Sequence, residues 1–142
     1  MKINRNAVCF GTSDDSYGTI RIQEPGKIFA FKLVHLSGFV TCIPEKSSGT
    51  KWGCDTKLNT HITDADNLRL FPIDGSTVFD ENLYCTSGFD YQSTEVEFSF
   101  ISSPLSVGAG QEFRVWYGED LLNRFEDDNY NSTSCIDIYG LY

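Results

Sequence analysis

Apolar and polar residues alternate over short runs along the chain: TIRIQE at 19–24, IFAFKLVHL at 28–36, FVTCI at 39–43, LRLFPI from 68 and STVFDENLYC at 76–85. TEVEFSFI from 94, EFRVWY at 112–117 and CIDIYGLY at 135–142 continue it. A period of two is the signature of strands with one buried face. Between the runs lie the turn-forming clusters DDSYG, QEPGK, KSSGTKWG, PIDGS and SVGAGQ. The pattern predicts about eight strands, no stretch long and periodic enough for a helix, and an all-β antiparallel sandwich or small barrel.

The same alternation orients individual side chains. In EFRVWY it puts Phe113, Val115 and Tyr117 on the core face and Arg114 and Trp116 on the other; in CIDIYGLY it turns Ile136 and Ile138 inward and Asp137 and Tyr139 outward. Between these two late strands, at one end of the sandwich, runs GEDLLNRFEDDN. Five of its ten residues from Glu119 to Asp128 are carboxylates. Such crowding requires solvation, protonation or a neutralising cation, because like charges at low dielectric repel strongly.

At 142 residues the chain predicts one domain, 1–142, with one core. Twenty acidic against eleven basic residues give a net charge of −9, and no Lys/Arg cluster could follow a phosphate backbone, so nucleic acid is excluded as a partner. No apolar run approaches the roughly 18–20 residues of a membrane span, and MKINRNAV lacks the apolar core of a signal peptide.

The five cysteines, Cys9, Cys42, Cys54, Cys85 and Cys135, show neither CxxC nor zinc spacing. Together with the glycosylation triplet at Asn131, they fit a secreted protein with disulfides; the alternative is buried free thiols in an intracellular domain. Expected pairs are Cys42–Cys54 across the KSSGTKWG turn and Cys85–Cys135. The odd Cys9 would be left for a bond to a second chain.

Catalytic constellations are missing from the sequence. There is no GxSxG, HExxH, P-loop or GxGxxG; His35 sits in an apolar run as a half-buried strand residue, and His61 in a polar segment as a solvated one. Glu95 and Glu97 share a strand face, a geometry far commoner on solvated strands than in glycosidases. The expectation is that the chain is not an enzyme.

The acidic loop 119–129 offers calcium the carboxylate and amide oxygens it requires, although EF-hand spacing is absent; the other reading is a merely solvated surface. Candidate ligands are Glu119, Asp120, Glu126, Asp128 and Asn129, with Asp127 facing solvent. An ion so held could also exchange water for two sugar hydroxyls while the same side chains bond those hydroxyls. Asp120, Glu126 and Asn129 are the candidates for sugar contact, and Trp116, Tyr117 and Phe125, with Tyr130 nearby, are rings that could cover an apolar sugar face. Trp52 is a further expected exposed ring, and Asp64–Ala65–Asp66–Asn67 a smaller acidic cluster that reads as an Asx turn.

FRVWYGEDL, EDDN and SCIDIYGLY, with KWGCDTKLNTHITDADN upstream, resemble a family of extracellular proteins of cnidarians and other marine invertebrates that includes sea-anemone galactose-specific lectins. The resemblance extends over most of the chain and is most specific from Phe113 to Tyr142. It implies a secreted β-sandwich that binds terminal galactose through Ca2+ and forms a disulfide-linked homodimer. A structural or adhesive module with a calcium-stiffened loop is the alternative.

Overall fold

The computed structural model describes residues 1–12, 15–41, 49–54, 56–72, 83–86, 88–100, 103–122 and 132–142, the Glu119 side chain excepted. Two four-stranded antiparallel sheets face each other. The first has the order β1 (Val8–Gly11), β12 (Thr133–Leu141), β4 (Ala30–Gly38), β9 (Glu95–Ser99). The second runs β2 (Gly18–Arg21), β11 (Glu112–Tyr117), β7 (Thr60–Asp64), β8 (Arg69–Phe71). Among the described residues two small ribbons join them, β3 (Gly26–Ile28) with β10 (Leu105–Val107) and β5 (Gly53–Cys54) with β6 (Lys57–Leu58). One helical turn, α1 (Gly118–Leu121), follows β11.

Alternation builds the core as expected. Phe31, Leu33, Ile136 and Ile138 of the first sheet and Ile20, Ile62, Phe113 and Val115 of the second are all buried, and the Phe31 and Phe113 rings meet edge to face at 5.9 Å across the sandwich. Each such side chain contributes about 1.5–3 kcal/mol on leaving water. At the edge of the first sheet β9 exposes Glu95 and Glu97, which discourages strand addition there. The β4 strand ends at Gly38, whose φ of +77° and whose Cβ position, 2.0 Å from the Thr133 carbonyl oxygen, admit no larger residue without movement.

Several expected strands take another form. FVTCI yields only a Val40–Thr50 bridge in its described part, and STVFDENLYC contributes a Leu58–Tyr84 bridge at its end, its residues 76–82 lying outside the described residues. Conversely, β7 forms at Thr60–Asp64, in the segment expected to be polar loop. His61 is fully buried there rather than solvated, its ring edge-on to Tyr84 at 5.8 Å.

The cysteine pairing also differs. Cys9 is bonded to Cys135, its directly opposed partner in the β1–β12 ladder with a Cα separation of 4.1 Å. Cys9 is therefore not available to a second chain, and Cys85–Cys135 does not form. Among the described residues Cys85 is free, and its side chain is exposed. Cys54 is disulfide-bonded, while Cys42, its expected partner, lies outside the described residues.

Candidate functional site

The acidic segment leaves the second sheet at the end of β11 and returns as β12 in the first. Tyr117 is still extended, at φ −77° and ψ 130°, and α1 begins at the next residue. The Gly118 amide donates to the Asn59 carbonyl at 2.7 Å, and the Tyr117 hydroxyl to the Gly53 carbonyl at 3.1 Å. These contacts fix the take-off of the segment against β5 and the residue before β7.

Asp120 then fastens the segment sideways. Its side chain is fully buried, and its two carboxylate oxygens accept hydrogen bonds from the backbone amides of Asp15 and Ser16, both at 2.8 Å. A carboxylate facing two N–H groups has strong, charge-assisted bonds. At the far end of the segment, Ser132 is tied to the same β1–β2 connection: the Thr12 amide donates to the Ser132 carbonyl at 3.1 Å, and the Ser132 amide to Thr12 Oγ1 at 3.2 Å. The connection is closed on itself by the Gly11 amide donating to the Ser16 carbonyl at 2.7 Å. The turn between β1 and β2 thus holds Asp120 and Ser132, the described residues at the two ends of the acidic segment.

The two rings expected beside the loop are packed. Trp116 is 2% exposed: its indole N–H donates to Thr63 Oγ1 at 3.1 Å, and Tyr17 covers the ring with centroids 4.8 Å apart. Tyr17 is in turn overlaid by the Arg114 guanidinium at 4.3 Å, which pairs with Glu112 at 2.8 Å. Tyr117 lies in the core, as alternation requires, and is 0% exposed. Trp52, expected to be exposed, is also 0% exposed; its indole N–H donates to the Ser93 carbonyl at 2.7 Å. Glu119 lies in α1, whereas Phe125, Glu126, Asp127, Asp128, Asn129, Tyr130 and Asn131 lie outside the described residues.

The second acidic cluster is an Asx turn, as expected. Asp64 Oδ1 accepts from the amides of Asp66 and Leu68 at 2.8 and 2.9 Å, and Asn67, at φ 65°, accepts from Arg114 through its side-chain oxygen at 2.9 Å. Sequence reasoning missed Thr12, Tyr17 and the amides of Asp15 and Ser16 as parts of the site. DDSYG carries a turn signal only, and nothing local announces that it grips a segment more than a hundred residues later.

Among the described residues no group of three or more His, Cys, Asp or Glu is placed to hold a metal. The loop as a whole offers Glu119, Asp120, Glu126, Asp128 and Asn129, hard oxygen donors with no imidazole or thiolate among them. That donor chemistry suits calcium and not zinc or copper.

No protein-family model and no curated protein matches the chain. Among solved structures, AJLec from the sea anemone Anthopleura japonica is similar over 100% of this chain and 96% of that one, with a TM-score of 0.86 and 31% identity.

Proposed function

The chain belongs to the family of AJLec and the sea-anemone galactose-specific lectins, and from that premise we propose that it is a calcium-dependent lectin for terminal galactose without catalytic activity. The observation that carries the proposal is the full-length likeness at 31% identity, in a fold that fastens both ends of an acidic, all-oxygen-donor loop. In this reading Glu119, Glu126, Asp128 and Asn129 supply most of the ion's oxygens, and Asp120 combines any ion contact with its grip on Asp15 and Ser16. Bound calcium would offer exchangeable coordination positions to two neighbouring sugar hydroxyls. Glu126 and Asn129 complete the recognition by hydrogen bonds to those hydroxyls, and Phe125 is the candidate ring for the apolar sugar face, while the buried Asp120, expected from the sequence to touch the sugar, anchors the loop instead. Trp116 and Tyr117, packed within the sandwich, take no part in sugar contact in this reading.

The Cys9–Cys135 bond and the bonded Cys54 fit an extracellular setting. Among the described residues no helix is long and apolar enough to cross a membrane. A covalent homodimer, where one forms, would use the exposed Cys85. Linking two weak sugar sites raises avidity by about 10² to 10⁴ when both can engage together.

Retention on immobilised galactose tests the reading. The protein should bind in calcium and elute with chelator or free galactose; retention indifferent to chelator rules out the calcium bridge. The burial of Trp116, Tyr117 and Trp52 favours a second reading, an adhesive module whose loop calcium merely stiffens. That module would gain thermal stability from calcium but none from galactose.

A further inference from the structure

A groove of about 420 Å³ runs along the open side of the sandwich, between the N-terminal segment entering β1 and the edge strand β2. Its floor is closed by Val8 against Gly18, where even a Cβ would lie 2.5 Å from Val8 Cγ1. Its walls carry Arg5 and Asn6 on one side and Tyr17, Thr19 and Arg21 on the other.

The charge of the lining runs against that of the molecule. The chain has a net charge of −9, yet among the described residues those lining the groove include two arginines and no carboxylate. Arg21 is committed, to Glu112 and to the Gly110 carbonyl, both at 3.1 Å. Arg5 is exposed and has no ion-pair or hydrogen-bond partner for its guanidinium among the described residues. The hydroxyls of Tyr17 and Thr19 likewise have none. Tyr17 is preset, held between the Trp116 ring and the Arg114 guanidinium.

An unengaged guanidinium with hydroxyls and an amide around it matches an oxyanion carried on a polyhydroxylated body, because the fork of N–H groups fits a carboxylate or sulfate and the neutral groups exchange hydrogen bonds with hydroxyls. Position points the same way: Tyr17 follows directly on Asp15 and Ser16, whose amides hold Asp120. The groove therefore begins beside the anchored base of the acidic loop. We propose that it is a second glycan subsite, taking an anionic sugar unit, a uronate or a sulfate ester, with Arg5 as its charge partner. The saccharide nature of the ligand rests on the lectin reading; the preference for an anion rests on the groove.

Amide NMR titrations of the full chain in EDTA test this with the galactose site disabled, using galactose 3-sulfate, galacturonic acid and neutral galactose as probes. Saturable shifts confined to residues 5–8 and 17–23 with either anion and not with galactose are expected, weakened about fivefold by Arg5→Gln, the scale of an exposed ion pair. A response to one anion alone identifies the ester or the carboxylate as the recognised group. Shifts matched by neutral galactose, spread to Lys27 and Lys57, or indifferent to Arg5→Gln overturn the proposal. Loss of these shifts with calcium-dependent galactose retention intact defeats only the groove; the reverse defeats only the lectin reading.

Discussion

Replacing Asp120 by alanine takes the acceptor away from two backbone amides at once and frees the first end of the acidic segment from the β1–β2 turn. Hydrogen bonds to a charged acceptor contribute about 1.5–3 kcal/mol each, so the pair sets a ceiling of about 6 kcal/mol. Asp15 is exposed and Ser16 half-buried, so water recovers part of both donors. The expected loss is about 2–4 kcal/mol, or about 6–12 °C in Tm for a chain of this size. Urea denaturation in EDTA measures it without the stabilisation that a bound ion adds by linkage. Asp120→Asn separates acceptance from volume: it keeps the shape but turns an amide NH2 toward an N–H donor, and should lose at least half as much. A loss below about 1 kcal/mol for alanine, or a neutral Asp120→Asn, refutes the clamp.

Removing the β1–β12 disulfide as Cys9→Ser/Cys135→Ser opens a loop with a sequence separation of 126 and should cost up to about 5 kcal/mol by chain entropy; calorimetry showing no change in Tm contradicts that. Cys85→Ser should abolish any reductant-sensitive dimer band in electrophoresis and leave single-site galactose affinity unchanged, and a dimer band that persists assigns the link elsewhere. The hydrogen bond from Asn4 holds the Asp137 carboxyl below its usual range, against some desolvation and with help from Lys2. Because the folded-state value is the depressed one, this stabilisation is fully present above the unfolded-state pKa of about 4 and is lost as pH falls through the folded value. Asp137→Asn should therefore lower stability at neutral pH and flatten the acid limb of a pH–stability curve taken in EDTA; an unchanged acid limb removes Asp137 from the account.

What could be read from the sequence was whatever obeyed a single local period. β9, β12 and the first half of β11 keep one face wet or polar and one face buried, so their inward residues Val96, Phe113, Val115, Ile136 and Ile138 follow from alternation alone. β7 breaks that pattern because Thr60, His61, Ile62 and Thr63 are all buried, on both faces of a central strand. Its threonine hydroxyls find partners outside the strand: the Thr60 hydroxyl donates to the Trp52 carbonyl at 2.8 Å, and the Trp116 indole reaches Thr63. A segment with polar residues on both sides reads as loop until those partners are known. The Cys9–Cys135 bond had no local signal either, since only the antiparallel register opposes residues so far apart. For Asp120, composition marked an acidic cluster, but the amides of Asp15 and Ser16 that give the carboxylate its structural work belong to another turn. The resemblance to galactose-specific lectins was carried instead by motif residues, and it matches the full-length likeness to AJLec.

The most direct measurement of the central claim is a crystal structure of the protein soaked with calcium and galactose. One ion should be coordinated at about 2.3–2.6 Å by oxygens of the 119–129 loop, with two galactose hydroxyls completing its shell. Galactose bound away from that loop, or an ion there with no sugar on it, contradicts the account.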